Sequence, residues 1–87
     1  MKQLDEKIAA RRVIALGLAT YYTMRGYRHV AFSALTCGAE VTVFVDTEEE
    51  AQRAKEESKS NIIEDCKCAI RKWENECGEY FTYCVEY

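Results

Sequence analysis

Residues 47–77 read TEEEAQRAKEESKSNIIEDCKCAIRKWENEC, a stretch with no proline and no glycine. Small or apolar residues recur at Ala51, Ala54, Ser58, Ile62, Cys66, Ala69, Trp73 and Cys77. Each step is three or four residues, the spacing that puts side chains on one stripe of an α-helix. The start is chemically marked. Thr47 and Glu50 make a capping box, in which the hydroxyl takes a free backbone N–H and the carboxylate reaches back to the Thr47 N–H. Glu48 and Glu49 add negative charge at the positive end of the helix dipole. Arg71 and Lys72 lie toward the far end, and Gly78 suits the left-handed position just past it. The stretch therefore reads as one of two helices, spanning Thr47–Cys77.

Length strains that reading. About thirty helical residues span roughly 45 Å, whereas a globule of this size has a radius of gyration near 12 Å, roughly. The helix must break or project. Ser58-Lys59-Ser60-Asn61 is a break signal, with Asn61 and Glu64 placed for a second capping box, so a break near Ser58–Asn61 is expected. The alternative is a helical arm packed on a partner.

Upstream, His29–Thr36 and Glu40–Asp46 both alternate, with Val30, Phe32 and Ala34 on one face and Val41, Val43 and Val45 on one face. Cys37-Gly38 between them reads as a tight turn in which Gly38 supplies a positive φ. Before the hairpin, Leu4–Arg25 reads as a helix with Leu4, Ile8, Ala15, Leu18 and Tyr22 on one stripe and Val13, Ile14, Leu16 and Tyr21 beyond it. Gly17 in its interior costs about 1 kcal/mol against alanine and points to close backbone approach. Gly26 is its stop. Downstream, Glu79–Glu86 reads as a third strand, with Phe81, Tyr83 and Val85 alternating against Tyr80, Thr82 and Cys84. Carried back by the second helix, it runs parallel to the second strand and docks antiparallel beside the first.

The expected fold is therefore a single α+β domain over residues 1–87, in α-β-β-α-β order. It is a two-layer sandwich with a three-stranded antiparallel sheet (order 2-1-3) and both helices on one face. The other face is left open, carrying Phe44, Tyr80 and Leu35, and exposed aromatics there mark a contact surface.

Composition narrows the classes. The chain of 87 residues is 48% hydrophobic, which is too much for a disordered chain. Asp5 and Glu6 come early and no short apolar run precedes a cleavage site, so no secretory leader is read. Val13–Met24 is too short to span a bilayer. Five cysteines, Cys37, Cys66, Cys68, Cys77 and Cys84, are an odd number and fit reduced thiols in a cytoplasm. Net charge is −3, with bases gathered in residues 1–29 and acids in the remainder. That balance is not one of a general nucleic-acid binder.

No pattern of residues carries catalysis. His29 is a lone histidine at the start of a strand, and the four glycines are isolated, so no phosphate loop is formed. Cys66 and Cys68 point about 200° apart if helical and cannot clamp one ion. Cys66, Cys77 and Cys84 lack a second close-spaced pair. No enzyme, metal or cofactor is expected. In size, acidity and α+β design the chain resembles the small inhibitor proteins that phages encode, anti-CRISPR proteins among them. The resemblance is one of type and covers no specific residues.

The leading expectation is a non-catalytic protein that blocks a basic surface of a larger host protein or nucleoprotein complex, in the host cytoplasm if phage-encoded. The acids Glu49, Glu56, Glu57 and Glu64 would steer the encounter and Tyr80 and Tyr87 would anchor it. A second expectation is a homo-oligomer, structural or small-ligand-binding, assembled through helix one at Val13, Leu16, Gly17 and Tyr21. A third is an RNA-binding module using Arg11, Arg12, Arg25 and Arg28.

Overall fold

The computed structural model describes residues 6–58 and 66–87. The elements in chain order are α1 (Glu6–Met24), β1 (His29–Leu35), β2 (Gly38–Val45), α2 (Glu48–Ser58), β3 (Lys67–Asn75) and β4 (Gly78–Glu86). The strands form one antiparallel sheet in the order β1-β2-β4-β3. The fold is α+β as expected, but the sheet has four strands rather than three.

Two corrections account for the difference. The first concerns Thr47–Cys77. Its helix begins at the expected cap: the Glu50 N–H donates to the Thr47 hydroxyl at 3.2 Å, and that hydroxyl, rather than the Thr47 N–H, donates in turn to the Glu50 carboxylate. It ends at Ser58, where the break signal lies. Two carbonyls of its last turn accept side-chain donors, Ala54 from the Tyr22 hydroxyl and Lys55 from the Ser58 hydroxyl. The second capping box, Asn61 with Glu64, and Ile62 lie outside the described residues. Beyond them, Lys67–Asn75 is a strand. Its nine residues pair one for one with β4 from Lys67↔Glu86 to Asn75↔Gly78. Gly78 does adopt a positive φ of 123°, but in the β3–β4 turn, where the Cys77 N–H donates to the Asn75 side chain.

The second correction concerns strand order. The last strand docks on β2, not on β1, with Val41↔Val85 and Val43↔Tyr83 in register. Ala39, Val41, Val43 and Val45 are all buried, as suits a central strand. The first strand is left at an edge with most of its residues exposed. The last strand also runs antiparallel to β2 rather than parallel, because the strand that follows α2 directly is β3, which lies parallel to β2 two places away.

Both helices cover one face. Ala15, Leu18, Ala19 and Tyr22 of α1 and Ala51 and Ala54 of α2 close the core over Val41, Val43, Tyr83, Val85 and Tyr87. Ser58 is buried there too, its hydroxyl 2.7 Å from that of Tyr83. Helix α1 stops in a Schellman motif at Gly26 (φ 96°), with Tyr27 N–H bonded to Tyr22 C=O and Gly26 N–H to Thr23 C=O.

The arrangement is two αββ units related by an approximate two-fold axis between Val43 and Tyr83, partners that lie 40 positions apart. The sequence carries the same offset. CGAEVTVFV at 37–45 precedes CGEYFTYCV at 77–85, sharing the cysteine, glycine, threonine and final valine. Each copy of the Cys-Gly pair closes a hairpin, Leu35 facing Gly38 and Asn75 facing Gly78.

Candidate binding surface

The helices leave the opposite face of the sheet uncovered. Side chains alternate along a strand, so this face receives Thr42 and Phe44 from β2, Tyr80, Thr82 and Cys84 from β4, and Ala69, Arg71 and Trp73 from β3. They line a shallow depression of about 560 Å³. Its middle is a row of three aromatic rings. Trp73 and Tyr80 are cross-strand partners with centroids 6.3 Å apart and planes 14° apart; Tyr80 and Phe44 follow at 6.5 Å and 29°. Trp73 is 42% exposed and Phe44 37%. The indole N–H donates to the Thr82 hydroxyl at 2.8 Å, which fixes the largest ring before anything binds.

Charge around the row is of both signs. Lys67 and Glu86 are cross-strand partners, Glu86 in turn faces Glu40, and Arg71 lies between them and Trp73 along β3. The Thr42 hydroxyl donates to Glu40 at 3.3 Å. Burial pushes the Cys84 thiol above its ordinary range, with the Thr42 hydroxyl opposing and Glu40 adding to the rise. It therefore stays protonated and is a poor nucleophile.

The residues expected to bind a partner do not form one surface. Tyr80 is in the aromatic row. Glu49 and Glu56 are exposed on α2, in the layer behind the sheet. Glu57 is mostly covered and pairs with Arg25 at 3.3 Å. Tyr87 is 5% exposed, sits in the helix-side core and donates its N–H to the Ala39 carbonyl, so it cannot anchor a partner. Glu64 lies outside the described residues. Leu35 and Phe44 are on the open face as expected. Trp73 was missed because helical spacing assigned it to a core stripe; the repeated Cys-Gly turn at 77–78 was the available signal that a hairpin, not a helix end, precedes β4.

The N-terminal arginines are occupied. Arg12 donates through Nε to the Gly38 carbonyl at 3.1 Å and through Nη2 to the Leu35 carbonyl at 2.6 Å; Arg11 donates to the Cys37 carbonyl at 3.2 Å. These bonds tie α1 to the first hairpin turn. Arg25 adds the Glu57 pair and lies over the Tyr21 ring. Arg28, with Arg25, Arg53 and His29, lines a cleft that also holds Asp46, Glu50 and Glu57, so its charges offset.

Cys66, just before β3, and Cys68 within it come together rather than diverging, their sulfurs 3.9 Å apart. Among the described residues no group of three or more metal-ligating side chains converges, and no helix is long and apolar enough to cross a membrane.

By architecture the chain is an α+β two-layer sandwich whose open sheet face carries a preformed aromatic row. No family model, curated protein or solved structure matches it.

Proposed function

We propose that this is a non-catalytic binding protein that occupies a surface on a larger protein through its open sheet face. The observation that carries the reading is the row Trp73–Tyr80–Phe44, exposed on the face the helices do not cover. Aromatic anchors held in place by the fold contribute most of the energy at protein interfaces. Occupying a surface is also how a small inhibitor acts, and the acids Glu49 and Glu56 on the far layer supply long-range attraction to a basic partner without touching it. An RNA reading draws on the same row, because aromatics on a sheet can stack bases. The mixed charge of the face, Lys67 and Arg71 with Glu40 and Glu86, favours protein.

The test is capture of a stoichiometric partner from lysate of the natural host, followed by kinetics on that complex. Trp73→Ala and Phe44→Ala should each weaken affinity about tenfold or more, mainly through faster dissociation. Glu49→Lys with Glu56→Lys should slow association and leave dissociation unchanged. Equal affinity for wild type and both aromatic variants would exclude the sheet face. Tight binding of a homopolymeric single-stranded RNA at low salt, lost with Trp73→Ala, would replace the protein reading with the RNA one.

A further inference from the structure

Helices α1 and α2 lie in one layer, and their outer faces differ in kind. That of α2 carries Glu48, Glu49, Arg53, Lys55 and Glu56, the charged face expected of a helix against water. From Val13 to Met24, α1 carries no charge at all. Its outward residues Ala10, Val13, Gly17, Thr20 and Met24 are spaced three, four, three and four apart, the spacing of a helix–helix seam. Leu16 and Tyr21 flank it. Val13 is 71% exposed, Leu16 54% and Met24 81%. Gly17 lies at the middle of this seam, and a Cβ built there meets nothing within 4 Å. The chain's own packing therefore gives no reason for a glycine inside this helix, and a second helix approaching closely does.

We infer that α1 is the interface of a two-fold homodimer, in which it packs antiparallel on α1 of a second copy with Gly17 near the axis. The seam is self-complementary only in that sense. Its N-terminal end is small, Ala10, and its C-terminal end is large, Met24, with Val13 and Thr20 between them on either side of Gly17. An antiparallel pair lays Met24 on Ala10, whereas a parallel pair sets Met24 against Met24 and alanine against alanine. An isologous contact of this kind closes on itself and does not grow into a filament. The dimer is layered sheet–helix–helix–sheet, so both aromatic faces point outward and remain open. The inference rests on a different surface from the proposed function and stands without it.

Light scattering across a concentration series decides the matter. The chain is 10.0 kDa, and the wild type should run at twice that mass. Val13→Glu and Gly17→Leu should each give the monomer with an unchanged far-ultraviolet spectrum. Gly17→Leu is the sharper variant, since a Cβ at that position meets no atom of its own chain and leucine improves helix propensity, and the unchanged spectrum separates loss of the dimer from unfolding. Trp73→Ala should leave the dimer intact. A wild type that stays monomeric throughout, a Gly17→Leu variant as dimeric as wild type, or a dimer broken by Trp73→Ala would each overturn the proposal.

Discussion

Gly38 shows how one residue can be placed correctly for the wrong reason. Its position after Cys37 marks a hairpin turn, and the turn is there. The positive φ expected of it is not, since among glycines that conformation belongs to Gly26 and Gly78. Gly38 is needed because a Cβ would stand 2.0 Å from the Tyr87 carbonyl oxygen, with Arg11 also close by. That contact joins residues far apart in sequence, so no local pattern announces it. The two explanations separate under substitution. A left-handed turn accepts asparagine, whereas a close approach rejects every side chain. Gly38→Ala and Gly38→Asn should both lower stability in urea by about 1–3 kcal/mol. Near wild-type stability for Gly38→Asn would return the explanation to the backbone.

Among the elements, the start of α2 was legible and the strand β3 was not. A cap is local: Thr47 and Glu50 are three residues apart, and they meet as the sequence implies. Thr47→Ala should destabilise the protein by about 1 kcal/mol in urea denaturation, and no change would mean that α2 is held by packing alone. Residues 67–75 offer no comparable local signal. Lys67, Arg71 and Lys72 are good helix formers, and Cys66, Ala69, Trp73 and Cys77 keep helical spacing. What makes them a strand is β4, whose free edge they pair along its whole length. Pairing of that kind satisfies a row of backbone groups at once and overrides a modest helical preference. The same change of element moved Trp73 from a supposed core stripe to the exposed row and placed Cys66 beside Cys68.

Across the whole molecule, three tyrosines from α1, β4 and the residue after it share the core. Burial is the main cause that pushes the Tyr22, Tyr83 and Tyr87 hydroxyls above the usual tyrosine value, Tyr87 to about 12. In the unfolded chain these groups lose their protons near pH 10, roughly. Above that value the unfolded chain binds fewer protons than the folded one, so stability is full below about pH 10 and falls as pH rises toward about 12. Urea midpoints should decline over that window and be flat with respect to these groups below it; a midpoint unchanged up to about pH 12 would mean that the phenols are not held neutral by the fold. The sequence by itself determined the α+β class, the first helix, the first hairpin, the capped start of the second helix and an open face bearing Phe44 and Tyr80. Each follows from periodicity or from groups a few residues apart, which act within the local chain. Tertiary structure alone decided that β3 is a strand, that β4 sits beside β2, that Tyr87 is buried, that Arg11 and Arg12 serve a turn, and that Trp73 completes the aromatic row. Those outcomes depend on which distant segments meet, and the backbone pairing and burial that settle them exist only once the sheet has closed.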